Sequence, residues 1–160
     1  MIKPQMLQFD NNGRLYPYEI IETDSETIEK VFVEEIAFST SRRTIFENLK
    51  EYNQLLKEII GSDCKQWIDG SFVTLKRNPK DVDVITWIDF EEYERHEKQL
   101  EKLKQWRFDK LKMIDGYFIK TYPPQHKRYK FYEYDCQEWA FVFHKVRQSK
   151  TLKGFLQITI

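Results

Sequence analysis

Two aspartates spaced two residues apart head the most strand-like run in the chain. Asp81-Val82-Asp83-Val84-Ile85-Thr86-Trp87-Ile88 alternates in polarity at its start and is rich in β-branched residues, so it is expected to be a strand. Side chains along a strand alternate between its two faces, which puts Asp81 and Asp83 on the same face, with Ile85 and Trp87 following in register. Two carboxylates held a few ångströms apart repel, and the arrangement is costly unless a cation sits beside them. Magnesium accepts such hard oxygen ligands and completes its shell with water and substrate phosphates. The strand must therefore lie where an ion and its further ligands can reach its first residues.

A second signal lies upstream at a fixed distance. Trp67-Ile68-Asp69-Gly70-Ser71-Phe72 reads as a short strand running into a tight turn, and nine residues separate Ser71 from Asp81. Glycine has no Cβ, so a Gly70-Ser71 turn lets the backbone approach a phosphate closely. The Ser71 hydroxyl and neighbouring N–H groups can then bind phosphate oxygens. The intervening Lys76-Arg77-Asn78-Pro79-Lys80 is a polar loop in which Lys76 and Lys80 are candidate phosphate contacts. A metal clamp on phosphates beside an aligned nucleophile is what phosphoryl and nucleotidyl transfer need.

The remaining chain supplies a scaffold of matching size. Asp10-Asn11-Asn12-Gly13 is a turn signal. A first helix is expected from about Glu26 to Ala37, with Ile28, Val31, Phe32 and Ile36 on one face. A second follows the capping cluster Ser39-Thr40-Ser41, with Ile45, Leu49, Tyr52, Leu56 and Ile59 at spacings of three or four and Gly61 as its C-cap. Asp89 with Glu92 forms a capping-box-like start for a charged helix over about 90–110. Tyr117–Tyr122 is expected to be a strand ended by Pro123-Pro124. Tyr132–Val146 suits a helix, although its aromatics also fit a strand. Gly154–Ile160 alternates as a final strand. These elements predict one mixed α/β (α+β) domain over 1–160, a small mixed β-sheet flanked by helices. An N-terminal arm and helices occupy 1–62, the motif core 63–122, and a C-terminal helix and strand 123–160.

The spacing resembles the signature of the DNA polymerase beta-like nucleotidyltransferase superfamily: a hydrophobic strand, Gly-Ser, a gap of about ten residues, then Asp-x-Asp. The resemblance implies that Asp81 and Asp83 are metal ligands. It also implies that Asp115, just before Tyr117-Phe118-Ile119, is the third carboxylate, a ligand or the base for the attacking hydroxyl. Two magnesium ions and a nucleoside triphosphate follow from it. A closer resemblance runs through Asp69-Gly70-Ser71-Phe72-Val73-Thr74, Lys76, Pro79, Asp81-Val82-Asp83-Val84, Ile114-Asp115-Gly116-Tyr117-Phe118 and Lys153-Gly154-Phe155. It points to a family of uncharacterised bacterial and phage proteins thought to share the nucleotidyltransferase fold. The chain departs from the minimal nucleotidyltransferases of toxin–antitoxin systems, which carry Ala-Arg-Gly soon after Gly-Ser. Here Phe72-Val73-Thr74-Leu75 takes that place, so substrate recognition is expected to differ.

Three functional readings result. The first is a nucleotidyltransferase that moves a nucleoside monophosphate to a hydroxyl acceptor. A protein tyrosine or serine, an RNA end and a small molecule are all open as acceptors, and by analogy of fold a partner protein in a toxin–antitoxin or phage-defence setting comes first. The second is a catalytically silent module of the same fold that binds a nucleotide or a partner protein. The third is RNA binding through Lys127-Arg128-Tyr129-Lys130, which the balance of 26 basic against 26 acidic residues disfavours. His96, His126 and His144 share no ligand spacing. Cys64 and Cys136 have neither CxxC nor framework spacing and are expected to be reduced thiols. The N-terminus, Met1-Ile2-Lys3-Pro4-Gln5, lacks the apolar stretch of a signal peptide, and no run approaches a membrane span. A cytoplasmic protein is the resulting expectation.

Overall fold

A computed structural model describes residues 6–160; the expectation for Met1–Gln5 lies outside the described residues. The turn at Asp10–Gly13 joins two short strands, β1 (Gln8–Phe9) and β2 (Leu15–Tyr16), into a hairpin. The remaining strands form one five-stranded mixed sheet. They are β3 (Ile20–Glu22), β4 (Lys65–Asp69), β5 (Val82–Asp89), β6 (Ile114–Thr121) and β7 (Phe155–Thr159), in the order β3-β7-β4-β5-β6. The β5–β6 and β3–β7 pairs are parallel, and β4 runs antiparallel to both of its neighbours. All four segments anticipated as strands from the sequence thus contribute to one sheet. No helix among the described residues is long and apolar enough to cross a membrane.

Helices cover one face of the sheet thickly. Helix α1 (Ser25–Glu29), capped by Asp24 through the Thr27 N–H, passes into a π-turn over Lys30–Glu34. The wider turn brings Val33, rather than Ile36, into the core beside Ile28 and Phe32. Helix α2 (Arg42–Ile60) buries Ile45, Leu49, Tyr52 and Leu56, as its periodicity requires, and ends at Gly61 in the left-handed conformation. The expected long helix over 90–110 is broken. Asp89 caps α3 (Phe90–Arg95), His96 leaves helical geometry, and α4 (Glu97–Lys104) then continues into a 3₁₀ turn over Gln105–Phe108. The break lets α3 pack on β5 and β6 while α4 turns toward α2.

The opposite face is covered by a single helix, α5 (Tyr129–Phe143), which settles the helix-or-strand alternative for this segment. The period of two along β5 decides what each face receives. Val82, Val84 and Ile88 join the large core under α2, whereas Ile85 and Trp87 join a smaller cluster with Trp67, Phe143 and Phe155 under α5. Asp83 points to the α5 side, in phase with Ile85 and Trp87, as the alternation predicts. After α5 the chain folds back on itself. The Val146 N–H bonds Thr151 and the Lys153 N–H bonds His144, before Gly154 enters β7. Both cysteines are free thiols, Cys64 buried and Cys136 half-buried.

Candidate functional site

Strand register assembles the acids. In the parallel pair Asp83 of β5 faces Asp115 of β6, and in the antiparallel pair it faces Asp69 of β4. Three carboxylates therefore form a row across three adjacent strands on the α5 side, each about 5 Å from the next along the hydrogen-bonding direction. Asp81 precedes β5 and joins them from the exposed edge. Like charges on neighbouring strands destabilise a sheet unless something neutralises them.

The two ends of the row carry their own cations. Lys153 Nζ lies 2.7 Å from Asp69 Oδ1, both side chains buried. Arg107 Nε lies 3.6 Å from Asp115 Oδ1. The centre has none: among the described residues neither Asp83 nor Asp81 makes a salt bridge. Burial, reinforced by Asp81 and Asp115, pushes the Asp83 carboxyl up to about 6, against the pull of Lys153 and Arg147. Asp81 is raised in the same direction by partial burial and by Asp115. Burial also raises Asp69, with Lys153 opposing and Asp83 adding to the rise.

The Gly70-Ser71 turn fits against this row. Gly70 has φ +85° and ψ −173°, a conformation reserved almost entirely for glycine. A Cβ there would lie 2.8 Å from Asp83 Oδ2, so backbone and carboxylate are in direct apposition. Ser71 opens a 3₁₀ turn to Val73. The turn is held from beneath by a residue that the sequence does not flag. The guanidinium of Arg42, fully buried at the start of α2, donates to the carbonyls of Phe72 (2.5 Å), Thr74 (2.6 Å), Lys76 (2.5 Å), Ser71 (3.4 Å) and Phe32 (3.1 Å). Burial without a carboxylate partner lowers its pKa to about 10. From outside, the Leu75 N–H bonds the Gly13 carbonyl and ties the loop to the N-terminal hairpin.

Acids and turn line an open cleft of about 630 Å³ between the sheet and the C-terminal part of α5. Asp81, Asp83, Asp115, Gly70, Ser71 and Lys76 all line it. Lys80 does not; it is exposed beside Asp81, where its charge lowers the pKa of that carboxyl. Trp87 shares the face of the acids, as its register requires, but does not sit beside them. Four residues of strand carry it about 13 Å along the sheet, where it packs on Trp67 and Tyr132. Tyr117 and Trp139 take the place beside the acids. Four of the lining residues that the sequence leaves unassigned are cations, Arg14, Lys145, Arg147 and Lys153. Lys153 stands in the Lys153-Gly154-Phe155 triplet singled out above, but only the fold places it on Asp69. Of the histidines, His126 packs on Phe90 and Tyr122, His144 on Phe155, and His96 lies near Glu92.

Among the described residues, no three His, Cys, Asp or Glu side chains are grouped so as to hold a metal ion by themselves. An open magnesium site needs less: one or two carboxylates, with water and substrate phosphates supplying the remaining oxygens. Two carboxylates without a salt bridge, Asp81 and Asp83, fit that smaller donor set, whereas Asp115 is engaged by Arg107.

Fold and site together define a mixed α/β protein with an acid-lined, cation-rimmed cleft at one end of a five-stranded sheet. Over residues 7–159 the chain matches a family of unknown function (DUF6932), and it belongs to that family. No curated protein and no solved structure matches it.

Proposed function

We propose that the chain is a metal-dependent nucleotidyltransferase, transferring a nucleoside monophosphate from a nucleoside triphosphate to a hydroxyl acceptor. One observation carries the reading. Among the described residues, neither Asp83 at the centre of the acidic row nor Asp81 at its exposed edge has a cation of its own, although both ends of that row do. Asp81, Asp83 and Asp115 would hold magnesium, which when bound neutralises phosphate charge and orients the reacting phosphoryl group. Gly70 and Ser71 admit the phosphates to close backbone approach. Lys76, Arg14, Lys145 and Arg147 supply positive charge along the cleft. In the transfer, the acceptor oxygen forms a bond to the α-phosphorus and the bond from that phosphorus to the bridging oxygen breaks. Asp115 takes the hydroxyl proton, and pyrophosphate leaves. An acceptor on a partner protein, as in a toxin–antitoxin or phage-defence pair, is the favoured class.

The test is transfer of label from α-labelled nucleoside triphosphates, with magnesium, to protein and RNA acceptors. Transfer is expected to fall at least 100-fold in Asp81→Ala and Asp83→Ala while circular dichroism is unchanged, in line with losing a metal clamp. Retained transfer in both variants would refute the assignment. A second reading, a module that binds nucleotide without turnover, draws on the Arg107–Asp115 contact, which already engages the third carboxylate. Magnesium-dependent nucleotide binding with no transfer to any acceptor, and none gained in Arg107→Ala, would favour it.

A further inference from the structure

The cleft carries more than phosphate and metal chemistry requires, since one wall is aromatic. Two residues beyond Asp115 on the same strand face stands Tyr117, and the indole of Trp139 descends on it from α5 with ring centroids 4.9 Å apart. Tyr117 is fixed from its other side. The Arg107 guanidinium lies 4.1 Å from its ring centroid and donates a 2.5 Å hydrogen bond to its hydroxyl. Trp139 is backed by Phe143 at 5.9 Å, edge to face. The apolar cluster beneath is already filled by Trp67, Ile85, Trp87, Phe143 and Phe155, all nine-tenths or more buried. Trp139 stays half-buried at the rim of this cluster, lining the cleft on the α5 side opposite the carboxylates of the sheet. A large, braced aromatic surface next to a polyphosphate-sized site is what a planar, uncharged ring system needs.

We propose that Trp139, braced by Tyr117, is the platform on which the base of the bound nucleotide stacks, while Lys145 and Arg147 beyond it take the outer phosphates. The C-terminal helix and the loop after it would then select a nucleotide over other polyphosphates. Stacking tolerates any base, so the site discriminates nucleotide from bare triphosphate strongly and one base from another weakly, with purines modestly ahead. This inference rests on reading the cleft as a nucleotide site.

Calorimetric titration of the full chain with magnesium-ATP and with magnesium-tripolyphosphate separates the two ideas. ATP is expected to bind about 10-fold or more tighter than tripolyphosphate, the range that one stacked base gives. Trp139→Ala should remove that advantage and leave tripolyphosphate affinity unchanged, and Trp139→Phe should restore most of it. Equal affinity of the wild type for ATP and tripolyphosphate would overturn the platform while leaving the metal–phosphate reading intact. So would equal weakening of both ligands in Trp139→Ala, which marks a purely structural role. Binding of neither ligand to the wild type would overturn the site reading and this inference with it.

Discussion

At the scale of single residues, two glycines mark where side chains have been pressed against backbone. Gly70 combines a glycine-only conformation with direct apposition to Asp83 Oδ2. Gly70→Ala should cost about 1–3 kcal/mol through backbone strain alone. It should also displace the Asp83 carboxylate, so magnesium-dependent nucleotide binding falls further than stability does. Urea unfolding and nucleotide titration of the same variant check this, and unchanged binding would contradict the placement of Asp83. Gly116 is different, because its backbone is ordinary strand. A Cβ there would clash with the Tyr52 hydroxyl, a buried group with no hydrogen-bond partner among the described residues. Tyr52→Phe removes that unpaired hydroxyl and should leave stability unchanged or raise it by up to about 1 kcal/mol. Gly116→Ala should cost about 1–3 kcal/mol in the wild type and distinctly less with Phe at position 52. A double-mutant cycle measured by urea unfolding reads the coupling, and additive effects would show that the two groups do not meet.

At the scale of elements, the loop between β4 and β5 depends on helix α2 for its shape. Among the described residues, Arg42 donates to the carbonyls of Phe72, Thr74 and Lys76 in this loop, so Arg42→Met leaves these acceptors unpaired. The expected loss is about 3–5 kcal/mol, the range for breaking a buried charged network. Arg42→Lys should recover little, because one ammonium cannot span carbonyls on both sides of a planar fork. Thermal or urea unfolding of the two variants tests this; near-equal stability of Arg42→Lys and wild type would count against it. Elements also show what the sequence could reveal. Helix α2, β5 and the cap at Asp89 are legible because each is specified locally, by periodicity or by a capping side chain. The strand β3 is not, since three residues acquire strand character only by pairing with β7 from the far end of the chain. The same limit governs the site. Asp81, Asp83 and Gly70-Ser71 carry a spacing that sequence displays, and the register of β6 converts Asp115-Gly116, a turn-like dipeptide, into strand facing Asp83. Arg42 and Lys153 carry no local pattern, because the loop carbonyls and the Asp69 carboxylate they meet lie far away along the chain.

At the scale of the whole molecule, charge balance hides a concentrated imbalance. Equal numbers of acidic and basic residues give no net field, yet three carboxylates share one sheet face and the middle one is raised to about 6. On the proposed reading, folding stability should therefore depend both on pH and on magnesium. Asp83 has a folded-state pKa above the ordinary carboxyl value of 3.8, so the native state binds more protons than the unfolded state between about pH 4 and pH 6. Its contribution to stability is fully present below the ordinary value and is lost as pH rises through about 6. The wild type without divalent ions should thus lose about 1–3 kcal/mol relative to Asp83→Asn between pH 4 and pH 7, an amount bounded by a shift of about two pH units. Above pH 6 the ionised carboxylate becomes available to a cation. Magnesium should then stabilise the wild type by about 2.7 kcal/mol at 100 times its dissociation constant. Near pH 5 it should do little, and at any pH it should do least for Asp83→Asn. Urea unfolding over pH 4.5–8 with EDTA or magnesium measures both effects. A magnesium stabilisation that persists unchanged in Asp83→Asn would place the ion elsewhere. A flat pH difference between wild type and Asp83→Asn would mean that the row is neutralised from within the fold, and the argument for a cation at its centre would fall.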